Sequence, residues 1–510
     1  MAVQPETIDR STIVQTAAGA LRGTTEGGVH VWRGVGYAEQ PVGPLRFRAP
    51  QPLTPWSGVR DAIDHGPIPP QGKSFVGGGR DDPKMRDEAC LTVTVWSPDV
   101  MGSLPVMVWI PGGAFVFGAG QFQLYNGSRL AANGNVVVVN VTYRIGVFGG
   151  FELGSLGDGF DDNLCLRDQI AALEWVRDNI AAFGGDPDRV TVFGESAGAT
   201  SVLALLASPA AQGLFGRAIA QSPALPLIAD HDTRAEQAQR FVADLGVAPA
   251  ELKELPQRDL RRAAGRQQLR SVGTSPMLAY GLTHGTELLP HHPVPAARAG
   301  AVAPVPLIVG TNSHEASMFA WSCPPMLPTT APLVDEYFAR VAPDHRERML
   351  AAYPGYPRRR ALVTFGSDVM FGAPTWAFAD AYSACAPSFV YRFDHVTSTL
   401  RALGLGATHG SEIVHVHHSY GSYLGRKLHP LGRHVPPAVG RRMQRYWLEF
   451  VGGNPPGPDW PQYRVPRRAV RIIGTTRDAT VDDPDVVRRL AWEGLHGNGF
   501  EGFEPLGVSG

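Results

Sequence analysis

The sequence predicts an α/β fold built on a doubly wound, mostly parallel sheet with helical insertions, and three observations carry that prediction. Short apolar runs alternate with helical patterns through the middle of the chain. Two of those runs are apolar almost without interruption, as strands covered on both faces are. Glycine and proline, 59 and 44 of 510 residues, supply turns in an abundance that a helical bundle does not need.

The elements follow in order. Residues 1–60 alternate and turn often, at Gly27-Gly28, Gly34, Pro41 and Gly43-Pro44, which suits a β-rich antiparallel extension at the sheet edge. Pro105–Ile110 and Val136–Val141 are the two near-continuous apolar strands. Leu166, Ile170, Leu173, Val176 and Ile180 then recur at helical spacing, and Gly184-Gly185 ends the pattern. Val190–Phe193 reads as a strand and Ala197–Leu206 as a helix. Later strands fit Arg217–Gln221, Pro304–Gly310 and Phe389–Phe393. Residues 225–300 and 316–385 break the rhythm with amphipathic helices and prolines, and read as insertions roofing a site within one domain spanning 1–510.

Composition narrows the function. A 44% hydrophobic, 18% charged chain with net charge −1 belongs to the soluble globular class. Without a basic face, nucleic acid and anionic membranes are disfavoured as partners; Arg358-Arg359-Arg360 reads as solvated surface. Cys90, Cys165, Cys323 and Cys385 stand alone, with no CxxC pair, which fits a reducing compartment. Met1–Glu6 does not read as a signal peptide, and the apolar stretches are too short to span a bilayer. The expectation is a cytoplasmic monomer or homodimer acting on a small molecule, without cofactor.

Gly194-Glu195-Ser196-Ala197-Gly198 matches G-x-S-x-G. The pattern alone is weak, and a serine capping a helix is the plain alternative. Its position between a strand and a helix is what a nucleophile elbow requires. A serine hydroxyl needs a base to take its proton and an acid to orient that base, and in such folds the chain order is Ser, acid, His. Glu315 is the only carboxylate between Glu287 and Asp335 and follows the strand Pro304–Gly310. His395, at a strand end, and His409, in a turn-rich loop, both remain open as the base on periodicity. Pro111-Gly112-Gly113-Ala114-Phe115 follows an earlier strand and could turn backbone N–H groups toward an oxyanion, together with the N–H of Ala197.

These segments resemble the type-B carboxylesterase/lipase family, which has the α/β-hydrolase fold, and the resemblance covers most of the chain. Phe183–Pro187 running into Val190–Ala199 is similar to the family's signature, and Pro41–Phe47 to its N-terminal marker. The resemblance implies oxyanion N–H groups at Gly113 and Ala114, the acid at Glu315 in Asn312–Ala316, and the base at His409 in Gly406–Glu412. It implies carboxylic ester hydrolysis through an acyl-enzyme, with no cofactor. A thioesterase or lipase reaction on the same triad, or a silent binding protein of this fold, are the alternatives. Phe115, Phe319 and Trp321 are pocket candidates, with Phe117, Phe371 and Trp376 behind them; all are equally plausible as core.

Two departures and three decoys complete the reading. Glu88-Ala89-Cys90-Leu91 has Ala89 where the family usually has Asp, and no cysteine precedes Cys90 to pair with it. Ile413–His418 carries histidines where the family is aromatic-rich. His415, His417 and His418 invite a metal reading, but with no carboxylate or cysteine at ligand spacing no metal is assigned. His314-Glu315 lacks the second histidine of H-E-x-x-H, since Met318 stands there. Gly72-Lys73-Ser74 ends like a P-loop, but Pro67 replaces its glycine.

Overall fold

The apolar runs pair with one another through the middle of a large sheet. The computed structural model describes residues 12–72, 83–271, 279–323, 326–341, 343–430 and 437–495; Met1–Glu6, Lys73 and Ser74, singled out above, lie outside them. The strands of this sheet are β1 (Thr24–Glu26), β2 (Val29–Gly36), β3 (Thr92–Ser97), β4 (Leu104–Ile110), β5 (Val137–Thr142) and β6 (Gly185–Glu195). They continue with β7 (Arg217–Gln221), β8 (Leu307–Asn312), β9 (Ser388–Phe393), β10 (Ala469–Ile473) and β11 (Ala479–Asp482). Their spatial order is β11-β10-β9-β8-β7-β6-β4-β5-β3-β2-β1. From β10 to β5 neighbours run parallel, while β11 at one edge and β3, β2 and β1 at the other are antiparallel.

Strand periodicity divides the core in two. Val106, Val108 and Ile110 of β4 point to one side, and Met107 and Trp109 to the other. The first side packs under α2 (Leu164–Asn179) and α3 (Ala197–Ala207). The second packs under α1 (Ser128–Gly134) and α4 (Ala438–Val451), through Leu130, Met443, Trp447 and Phe450. Each such large side chain contributes about 1.5–3 kcal/mol on burial. α3 is buried on every side, and its Ala/Leu composition tolerates that because it has high helix propensity and little polar surface.

The antiparallel edge of the sheet draws on the N-terminal region and on β3. The described part of that region holds β1, β2 and a small sheet of Ile13–Gln15, Ala20–Arg22 and Val59–Asp61. The described parts of residues 225–300 and 316–385 are largely helical, with one short parallel pair, Ile228–Asp230 and Leu282–His284, in the first. Within the second, Asp368–Gly372 forms a π-helical turn, a wide turn frequent at functional sites.

Candidate active site

The turn from β6 to α3 is held in a conformation that a free chain avoids. Ser196 has φ 58 and ψ −125, left-handed backbone costing on the order of 1–3 kcal/mol, maintained only where the surroundings enforce it. Its N–H donates to the Gln221 carbonyl at 2.9 Å. The flanking glycines leave no room for a side chain. A Cβ on Gly198 would lie 2.0 Å from the Ile110 carbonyl oxygen, and one on Gly194 2.6 Å from the Gly198 carbonyl carbon. Gly198→Ala is therefore expected to lower stability by about 1–3 kcal/mol through overpacking, measured by urea unfolding. An unchanged midpoint and slope would contradict this steric account.

The glycine-rich turn after β4 abuts the elbow. A Cβ on Gly112 would sit 2.4 Å from the Glu195 carbonyl oxygen and 2.9 Å from Ser196 Cβ. Gly113, Ala114 and Phe115 have φ of 122, 55 and 57, so the chain curls tightly here, closed by Val116 and Phe117 N–H donating to the Gly113 carbonyl. Among the described residues, no protein acceptor engages the N–H groups of Gly113 or Ala114. Ala197 opens α3, so its N–H has no acceptor within the helix.

Glu315 and His409 meet from different elements. Glu315 follows β8, and His409 lies in the loop after β9; His409 Nδ1 is 2.7 Å from Glu315 Oε2. On its other side, His409 Nε2 is 3.2 Å from Glu195 Oε1, which brings the imidazole to the elbow. Among the described residues no hydrogen bond engages the Ser196 hydroxyl, which leaves it free to rotate toward the imidazole. Burial would lower the His409 pKa, but Glu195, Glu315 and Glu412 outweigh it and lift it to about 9. Burial pushes Glu195 up to about 8, with Glu412 and Glu315 adding and His409 opposing.

Around Glu315 stands a set of residues that sequence reasoning missed. Ser222 Oγ donates to Glu315 Oε1 at 2.5 Å, and Asn312 N–H donates to the same oxygen at 2.6 Å. Asn312 Nδ2 donates to Glu412 Oε2 at 2.6 Å, Gln221 Nε2 to Glu412 Oε1 at 3.2 Å, and Trp447 Nε1 to Gln221 Oε1 at 3.1 Å. The available signal was position: Ser222 immediately follows β7, the parallel neighbour of β6, and sites in such sheets gather at carboxyl ends of strands.

His395 lies elsewhere. Its Nδ1 faces Thr475 Oγ1 at 3.1 Å, and burial lowers its pKa to about 4. Of the pocket candidates, Phe319 is beside the site, with its ring 5.3 Å from His409, and Phe371 of the π-turn is 4.5 Å away. Phe115 is fully buried in the first core, Trp321 is 67% exposed in the last turn of the short helix Ser317–Ser322, and Phe117 and Trp376 are half-buried. A cavity of about 1010 Å³ is lined by Arg129, His418, Arg441 and Arg445 among others, and by none of Ser196, Glu315 and His409.

An eleven-stranded, mostly parallel sheet with an elbow serine, a buried Glu–His pair and a glycine-rich turn defines a serine hydrolase of the α/β-hydrolase fold. Residues 10–484 match the model of the carboxylesterase family. The chain is 37% identical to a para-nitrobenzyl esterase of Bacillus subtilis (strain 168), over 94% of this chain and 97% of that one. It is 33% identical to a phenmedipham hydrolase of Pseudarthrobacter oxydans, covering 94% and 99%. A solved para-nitrobenzyl (PNB) esterase structure superposes with a TM-score of 0.85 at 34% identity, over 96% of this chain and 100% of the other. The chain belongs to the carboxylesterase family, and it is a serine-dependent carboxylic ester hydrolase.

Proposed function

We propose that Ser196 is the nucleophile, His409 the general base and acid, and Glu315 the carboxylate that orients His409. The observation that carries this is the 2.7 Å contact between His409 Nδ1 and Glu315 Oε2, made beside an elbow that holds Ser196 at positive φ. His409 takes the Ser196 proton as Oγ attacks the ester carbonyl. The N–H groups of Gly113, Ala114 and Ala197 receive the oxyanion, and Glu315 stabilises the imidazolium. His409 then protonates the departing alcohol, and water repeats the sequence on the acyl-enzyme. Substrates on this reading are small uncharged esters with an aromatic group, which Phe319 and Phe371 would flank; the name of the para-nitrobenzyl esterase relative supports this. A diethyl phosphoryl reagent should label the Ser196 peptide stoichiometrically, and labelling of any other serine would overturn the assignment.

Glu315→Gln tests the acid. Oε1 already receives two donors, so the glutamine carbonyl would take that place and present its NH₂ group to His409 Nδ1. The imidazole would then carry its proton on Nε2, the wrong tautomer for accepting from Ser196. The expected fall in kcat is about three to four orders of magnitude with the fold retained. Near-normal turnover would show that the acid lies elsewhere.

The pH profile gives the sign. Only neutral imidazole accepts the proton, and the folded pKa of His409 is raised to about 9. Activity is therefore lost as pH falls through a midpoint above the ordinary ~6.5 of histidine. Glu195→Gln should move that midpoint down, since the Glu195 charge is the first of the groups that raise it. A wild-type midpoint at or below the ordinary value would contradict the pairing.

We read the chain as one domain, monomeric or homodimeric, acting in the cytoplasm. The four free cysteines support that compartment. No helix among the described residues is long and apolar enough to cross a membrane.

A further inference from the structure

Three histidines that the reaction does not use converge beside the second core. His395 follows β9, His415 lies in the short helix Ile413–Val416, and His429 ends the helix Tyr423–Leu428. One ring nitrogen from each lies within 4.8 Å of the other two. The rings are in contact, with centroids 4.6 Å apart for His415 and His429 and 5.1 Å for His395 and His415. His415 is fully buried and the other two nearly so.

The hydrogen bonds select which nitrogens are free. His395 Nδ1 meets Thr475 Oγ1 at 3.1 Å, and His415 Nδ1 meets the Tyr420 hydroxyl at 2.9 Å. The Nε2 atoms of His395, His415 and His429 are all buried without a hydrogen-bond partner. Native interiors rarely leave one such atom unpaired, and here three belong to rings that meet one another. Burial keeps the rings neutral: His395 and His429 are lowered to about 4, and His415 falls well below the ordinary value. Neutral imidazole is the form that ligates metal.

We propose that His395, His415 and His429 form a three-nitrogen site for a divalent ion of the zinc class, with water or a small anion completing a tetrahedron. Bonds of ~2.0–2.1 Å would bring the ligand nitrogens to about 3.4 Å from one another, a small closure of rings already in contact. Thr475 and Tyr420 would act as outer partners that fix the tautomers, as such sites require. The all-nitrogen donor set, with no carboxylate, excludes the hard cations calcium and magnesium. Arg442, whose charge is felt at His395, is held by Asp478 at 3.0 and 3.1 Å, so its charge is balanced locally. His417 stays out of the site, packed edge-on against Trp109 at 4.7 Å. The trio thus differs from the neighbouring 415, 417 and 418 that the sequence offers. The ion would tie the end of β9 to the segment that returns from His409, a structural and not a chemical role.

The test uses untagged full-length protein freed of metal with EDTA and titrated with Co²⁺ and, separately, Zn²⁺ near neutral pH. The expected results are one equivalent bound per chain, visible absorption of tetrahedral Co²⁺, a raised Tm, and nitrophenyl ester turnover that the metal-free protein retains. Tyr420→Phe should weaken Co²⁺ binding about 10–100-fold. His429→Phe, which keeps a ring in place, should abolish it with turnover unchanged, and His395→Phe serves if that variant fails to fold. No stoichiometric Co²⁺ or Zn²⁺ uptake by the wild type, or uptake that survives the histidine substitutions, overturns the proposal. Turnover lost with the ion would overturn its structural role.

Discussion

Ser196→Ala is expected to reduce kcat for nitrophenyl ester hydrolysis by on the order of 10⁴ or more, with KM and thermal stability near those of the parent. The size follows from the chemistry: without the hydroxyl no acyl-enzyme forms, and only the oxyanion donors and substrate binding remain to accelerate attack by water. Stability should hold because Oγ makes no hydrogen bond among the described residues, and alanine keeps the Cβ that packs against Gly112. The positive φ costs alanine about as much as serine. Residual turnover within tenfold of the parent, after exclusion of contaminating esterase, would refute the assignment of the nucleophile.

His409→Ala should be nearly as damaging, and His395→Ala should not. The two histidines were the competing bases on sequence pattern, and they now differ in every relevant respect. His409 faces Glu315 and Glu195 beside the elbow, while His395 faces Thr475 and two other histidines. Loss of His409 removes the proton acceptor and also leaves Glu315 buried without its partner, so a drop of on the order of 10⁴ in kcat is expected. His395→Ala should keep kcat/KM within a few-fold. The reverse pattern would overturn the base assignment.

What could be read from the sequence was whatever announces itself locally. The strand Leu104–Ile110 emerged within one residue, because parallel strands buried on both faces have no polar residues to interrupt them. The strand before Ser196 was seen only as Val190–Phe193, whereas it begins at Gly185, because Asp186-Pro187-Asp188 masks its first half. The strand before Glu315 starts at Leu307 and not at Pro304, since Pro304 and Pro306 have no N–H to donate to a ladder. The strand Thr92–Ser97 escaped notice. Its Thr-Val alternation imitates a half-exposed edge, yet every residue in it is buried. The supports of the site were the least legible: Ser222 and Glu315 are 93 positions apart, and Gln221 and Glu412 are 191 apart. A serine, a glutamine or an asparagine carries no mark of a partner that distant.

The side chains that hold Glu315 and those that stand beside His409 come from different parts of the chain. Ser222, Asn312, Gln221 and Trp447 belong to strand ends and to α4 beneath the sheet, whereas Phe319 and Phe371 belong to the second insertion. Inheritance can therefore act on them separately. If Phe319 and Phe371 flank the substrate as proposed, replacements there would alter which acyl or alcohol groups fit while the pairing of His409 with Glu315 stays as it was. Replacement of Trp447 or Asn312 has the opposite signature, slowing every ester by a similar factor.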